Sequence, residues 1–199
     1  MTFSWLLVPL AYLVGSVSFA VLVSRWLNLP DPREAGSHNP GATNVLRLGG
    51  KKAAILTLLG DLAKGFLPLF AAYLFSTEAM LIAAVGLAAF LGHLYPVFFG
   101  FKGGKGVATA LGSVLSVAPL IGLTLLLAWL GAVALWRYSS GGALTAFGLF
   151  PIIVALLHPS AAFISFAVVV TGLIVVKHKG NIERLWKGTE SKVGQGRPG

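Results

Sequence analysis

Cysteine is missing from all 199 residues, so the chain has no disulfide framework, no thiolate nucleophile and no cysteine-based metal site. Charge is scarce too: Asp, Glu, Lys and Arg make up 11% of the residues, where a soluble domain carries about 25%. Only six residues are acidic, and they are too scattered to suggest a carboxylate metal site or any cofactor. What is abundant is apolar, 56% of the sequence with a mean hydropathy of +0.85, and this excludes a soluble globule. Residues 1–11 hold no Lys or Arg and the first apolar run is too long for a cleaved signal, so it reads as a retained first span.

A span needs about 20 apolar residues to cross a hydrocarbon core of about 30 Å. Seven stretches are expected to serve: 3–23, 53–75, 79–99, 107–120, 121–136, 143–157 and 161–176. The fourth and fifth come from one run, 107–136, divided at Ala118-Pro119 because proline breaks a helix interior and disfavours helical geometry in the residue before it. Left undivided, the run gives six spans and puts the C-terminal tail opposite the other basic segments. The expected architecture is therefore all-α, a single membrane domain of residues 1–199 with seven transmembrane helices. Its inner loops are 25–52, 100–106 and 137–142, and its tail is 177–199.

Charge placement orients the bundle. Of the 15 Lys and Arg, all except Lys64 lie in 25–52, in 102–105, at Arg137 or in 177–197, and seven spans put all four segments on one side. By the positive-inside rule that side is the cytoplasm, with the N-terminus outside and the C-terminus cytoplasmic. The net charge of +9 is accordingly a topology bias with attraction to anionic membrane lipid, not a signal for nucleic acid.

Three basic-side segments are richer in chemistry than topology requires. Residues 31–47 lack helical periodicity and are punctuated by Gly36, Pro40 and Gly41, which marks a structured loop, turning helical from Thr43 so that Arg47 lies one turn further on the same face. Ser37, His38, Asn39, Thr43, Asn44 and Arg47 crowd hydrogen-bonding groups into it. Residues 100–109 read Gly-Phe-Lys-Gly-Gly-Lys-Gly-Val-Ala-Thr and lead into an apolar helix. Backbone N–H groups of Gly103, Gly104 and Gly106, a helix N-terminus and the Lys105 ammonium together suit an anion. The spacing is not that of a Walker A loop, and no Ser or Thr follows the lysine, so nucleotide hydrolysis is not indicated. The third segment opens the tail, where His178 and Asn181 share a helical face ahead of an apolar stripe, Ile182, Leu185 and Trp186, suited to a short amphipathic helix on the membrane.

Within the spans, Asp61 and Lys64 lie three residues apart near mid-depth and read as a structural ion pair. His93 either lines the site or has a hydrogen-bonded structural role, and His158 lies at the opposite rim.

The segments 31–47, 92–106 and 178–192, with Gly15-Ser-Val-Ser-Phe and Asp61-Leu-Ala-Lys-Gly, closely resemble the bacterial integral-membrane glycerol-3-phosphate acyltransferases that use acyl phosphate as donor. The resemblance implies a seven-helix fold in the cell inner membrane and transfer of a fatty acyl group to the 1-hydroxyl of glycerol 3-phosphate. The product would be lysophosphatidic acid, the first membrane-bound step of phospholipid synthesis. It also implies a functional link to the soluble enzyme that makes acyl phosphate. One departure is Lys177, where the family often has Arg. The His-x4-Asp motif of the unrelated glycerol-3-phosphate acyltransferases is absent, the nearest match being His178 with Glu183.

That chemistry suits the residues present. Both substrates carry phosphate, so the expected catalytic set is His178, Asn181, Lys105, Arg47 and Ser37, with substrate binding by His38, Asn39, Thr43, Asn44, Gly103, Gly104, Gly106 and Ser140. Acyl phosphate is already activated, so the hydroxyl attacks directly without an acyl-enzyme, its proton going to His178 or to a donor phosphate oxygen. The alternative, a transporter of a phosphorylated solute, should show repeat symmetry and polar groups across mid-membrane.

Overall fold

A computed structural model describes residues 3–194, and every regular element among them is helical. The chain divides into two compact units, Met1–Pro119 and Leu120–Gly199.

The first unit opens with a 3-10 turn (Phe3–Leu6) and a broken span, α1 (Leu7–Gly15) and α2 (Phe19–Trp26), with Ser18 extended at the break. Next comes α3 (Ala42–Phe75), which starts well inside the expected 25–52 loop. Gly50, at φ 75° and ψ −171°, interrupts it, so residues 42–49 form a separate turn-rich helix ahead of the span proper, which runs close to the expected 53–75. Apolar residues explain why the segment is helical and not loop: Val45 and Ala53 are fully buried against Ala20 and Val23, with Leu27, Leu29 and Leu56 around them. α4 (Ala79–Leu94) stops where Pro96 forbids a helical Tyr95, and a second 3-10 turn (Val97–Phe99) leads to the glycine loop and α5 (Val107–Val117).

Helix pairs α1 with α4 and α3 with α5 pack closely. Glycine makes this approach possible. A Cβ on Gly92 would run into the Tyr12 carbonyl and the Ser16 nitrogen, and one on Gly65 into the Thr109 carbonyl, while Ser113 donates to the Gly65 carbonyl at 3.2 Å. Small residues play this part in membrane bundles, where no hydrophobic effect drives helices together. Gly65→Val is expected to destabilise the fold by about 1–3 kcal/mol, because backbone atoms cannot yield, and a lowered melting temperature in detergent would show it.

The second unit holds α6 (Pro119–Trp136, from Leu120 on), α7 (Ser139–Leu157), α8 (Ala161–Lys177) and α9 (Lys179–Trp186). The proline at 119 divides the long apolar run as expected, occupying the first position of α6, where its missing N–H has no partner to lose. The 137–142 loop is shorter than expected: Arg137 takes a left-handed turn at φ 64° and α7 begins at Ser139. Gly142 stays helical because it sits against Trp129 and Val133, leaving no room for a Cβ. α7 and α8 meet through the edge-on contact of Phe150 with Phe166, and the Thr171 hydroxyl donates to the Phe147 carbonyl at 2.7 Å.

Among the described residues seven apolar segments are thus helical, but five are long and apolar enough to cross a bilayer: Ser4–Trp26, Ala42–Phe75, Ala79–Phe99, Pro119–Trp136 and Ser139–Leu157. A sixth qualifies if α8 and α9, bent by 60° at His178, count together. At 1.5 Å per residue the 11-residue α5 reaches only about 16 Å, and it carries buried Thr109, Ser113 and Ser116 against its neighbours. Large apolar side chains such as Leu74, Leu127, Leu135 and Leu156 are 65% to 77% exposed. A water-facing surface would not tolerate that number, and a lipid-facing one requires it. The protein is an integral membrane protein.

Candidate active site

In the first unit the 31–41 loop is folded around one side chain. Asn44 is buried at the start of α3, its amide donates to the carbonyls of Pro32 (2.9 Å) and Ala35 (3.0 Å), and its oxygen accepts from the Ser37 N–H (2.9 Å). Gly36, at φ 65°, leaves room for that oxygen, and a side chain there would occupy its place. Asn44 therefore shapes the loop. Arg33 closes the outer edge: it forks onto Asp31 at 2.6 to 3.2 Å and sits 5.9 Å over the Phe99 ring. The hydrogen bond from Arg33 holds the Asp31 carboxyl below its ordinary value. Ser37 and His38 are left on the exposed rim, with Asn39 half-buried and Thr43 and Arg47 following on the short helix of residues 42–49.

The glycine loop lies against this one. Gly104 is buried so near Pro40 and His93 that a Cβ would come within 3.0 Å of the Pro40 carbonyl oxygen and closer still to His93 Nε2. The Gly104 N–H donates inward to the His93 carbonyl at 3.2 Å, so this glycine anchors the loop where the sequence suggested a substrate donor. Gly103 packs on the carbonyls of His93 and Leu94, and Gly106 takes φ 79° immediately before α5, where only glycine fits beside Phe90. Lys105 stands half-buried between them at the helix entrance. Two of the three segments that the sequence singled out are thereby neighbours.

Beneath them is a buried polar cluster. Lys64 Nζ lies 2.9 Å from Asp61 Oδ1 and donates to the Val17 carbonyl at 2.8 Å, confirming the expected pair. His93 Nδ1 joins it, 3.1 Å from the Thr109 hydroxyl and 3.6 Å from Asp61 Oδ1.

In the second unit the bend between α8 and α9 falls on His178, which is 3% exposed. Its Nδ1 lies 2.8 Å from the Ile174 carbonyl. A carbonyl only accepts, so Nδ1 carries the proton and Nε2 is the basic nitrogen of the neutral ring. Three residues on, Asn181 Nδ2 donates to Glu190 Oε1 at 2.6 Å, the Ser140 hydroxyl donates to the same oxygen at 2.6 Å, and Arg184 Nε reaches Oε2 at 2.7 Å. Ser140 thus directs its single proton to Glu190. Sequence reasoning missed Glu190. The available signal was scarcity, one of six acids in the chain lying inside a basic tail.

Burial opposes the Glu190 charge, but hydrogen bonds from Ser140, Asn181 and Arg184 and the nearby guanidinium outweigh it and hold the carboxyl below its ordinary value. A depressed carboxylate stabilises the fold at pH values above its unfolded pKa and stops doing so as pH falls through the folded one. Glu190→Gln is therefore expected to lower the melting temperature at neutral pH, with the gap from wild type closing on acidification through and below the ordinary carboxylate range.

Residues 5–188 match the family model described as glycerol-3-phosphate acyltransferase. The chain is 59% identical over 194 residues to the glycerol-3-phosphate acyltransferase of Methylococcus capsulatus, covering 98% of each. It is 54% identical over 184 residues to that of Thioalkalivibrio sulfidiphilus, covering 92% of this chain and 91% of the relative. Its fold is similar to the crystal structure of PlsY, an integral membrane glycerol 3-phosphate acyltransferase, in the glycerol 3-phosphate form, with a TM-score of 0.92 and 41% identity over 97% of this chain and 96% of the other. The lysophosphatidic acid form gives 0.89 and 40%, over 96% and 95%. The chain belongs to the glycerol-3-phosphate acyltransferase family, in its PlsY-type integral membrane form.

Proposed function

We propose that the protein moves a fatty acyl group from acyl phosphate to the 1-hydroxyl of glycerol 3-phosphate, forming lysophosphatidic acid. The observation that carries this reading is the near full-length likeness to PlsY in forms holding glycerol 3-phosphate and lysophosphatidic acid, a substrate and product of one reaction. The donor is taken from the motif resemblance.

Arg47, Ser37 and Lys105 bind phosphate, with Thr43 and the backbone around Gly103 and Gly106 adding fixed donors. The substrate hydroxyl oxygen attacks the acyl carbonyl carbon, the carbon–oxygen bond to phosphate breaks, and phosphate leaves with the electron pair. The hydroxyl proton goes to His178 Nε2 or to an oxygen of the leaving phosphate. Asn181, fixed by Glu190, supports the His178 end. Positioning and charge do most of the work, since acyl phosphate needs no further activation. The protein sits in the bacterial cell inner membrane with its N-terminus outside and these segments facing the cytoplasm, all seven helical segments serving as the membrane domain. The acyl chain lies among the helices, open to the inner leaflet, and the soluble enzyme that makes acyl phosphate supplies the donor.

The test is acyl transfer to radiolabelled glycerol 3-phosphate by the purified protein in lipid, with acyl phosphate, acyl-CoA and acyl carrier protein offered in turn. Product from acyl phosphate alone supports the reading. Product from another donor corrects the donor, and no product from any donor moves a transporter of phosphate esters to the front.

A further inference from the structure

Asp61, Lys64 and His93 have no part in the chemistry above, yet all three are buried, at 3%, 3% and 6% exposure. A buried ion pair is a weak stabiliser, often no better than apolar side chains of the same size, so the cluster asks for a second role. Its geometry supplies one. Lys64 ties Asp61 to the Val17 carbonyl at the break between α1 and α2, and Asp61 and the Thr109 hydroxyl of α5 both approach His93 Nδ1. The imidazole orientation is thereby set from one side. From the other side the same residue meets the glycine loop twice, its carbonyl taking the Gly104 N–H and its Nε2 packed against the Gly104 Cα where no Cβ fits.

We propose that His93, oriented by Asp61 and Lys64, is a positioning residue that sets the Gly103–Gly106 backbone in the shape that binds a phosphate monoester. The proposal rests on the reading of that loop as a phosphate cradle. His93 acts through Gly104 and not on the substrate. The break in the first span, the mid-membrane pair on α3 and the start of α5 are coupled to the loop through one ring.

Two measurements test it on purified full-length protein in nanodiscs: kcat and KM for glycerol 3-phosphate, and the rise in melting temperature on titrating inorganic phosphate without acyl donor. His93→Ala is expected to raise KM and the half-saturating phosphate concentration by about tenfold or more, with kcat falling less, since a displaced binding group weakens positioning. His93→Asn, whose amide N–H replaces Nδ1–H, should recover most of the loss. Asp61→Asn should raise KM in the same sense. Gly104→Ala should also raise KM, and by a smaller factor when His93 is already alanine, because the side chain it collides with is gone; contacting residues couple in this way. Unchanged half-saturation in His93→Ala, or fully independent effects of positions 93 and 104, would overturn the proposal, as would wild-type protein that saturates with neither anion. Wild type that binds phosphate but makes no product fails the acyltransferase reading alone.

Discussion

Lys105→Ala is expected to lower acyl transfer by about two to three orders of magnitude, the size of loss that follows removal of one fixed donor from a site stabilising developing negative charge. Lys105 is half-buried between two glycines packed against Phe90, His93 and Leu94, which holds its backbone at the entrance of α5. Lys102, three residues earlier, is exposed, and Lys102→Ala serves as the control, expected to keep activity within about twofold because a solvated charge contributes little. Lys105→Arg should recover only part of the rate, since a planar fork does not replace a point charge. Equal, small losses in both alanine variants would show that the loop attracts anions without holding one.

Asp61→Ala carries the largest expected effect on stability, about 3–5 kcal/mol, because it strands the Lys64 ammonium in the protein interior with only the Val17 carbonyl for company. Thermal unfolding in detergent should show a steep drop in melting temperature. Asp61→Leu combined with Lys64→Met should recover much of it, because apolar groups of similar volume carry no desolvation penalty. Recovery of stability without recovery of KM for glycerol 3-phosphate would separate the pair's contribution to folding from its hold on the loop. Failure of the double variant to recover stability would place the pair's value in folding itself.

Much of this was legible in advance because membrane physics writes itself in composition. Long apolar runs, a proline at 119 and lysines kept out of the hydrocarbon, Lys64 excepted, set the helical segments and their breaks. The glycine loop was legible for a similar reason: its backbone demands, such as φ 79° at Gly106, are met by one residue type. The hold of Asn44 on its loop was not legible, since an amide near a helix start reads the same whether it holds a ligand or its own loop. Glu190 was invisible because its partners, Ser140 and Asn181, lie 50 and 9 residues away, and no local pattern encodes a contact of that separation. The extent of α3 escaped because a basic, glycine-punctuated segment hides a short helix, residues 42–49, whose buried side chains are Asn44 and Val45.

The sequence by itself determined that the protein is a helical membrane protein and where its apolar segments lie, though not where α3 and α7 begin, and it singled out the polar segments of the candidate site. These follow from lipid solvation of each residue in turn, a property of the chain read one position at a time. The tertiary structure alone decided that the 31–41 and glycine loops are neighbours, that His93 rather than solvent faces Gly104, and that Asn44, Ser140 and Glu190 hold other groups in place. The first two outcomes depend on glycine contacts between α1 and α4 and between α3 and α5 that bring backbones together, and close packing is a relation between distant residues that no single position carries.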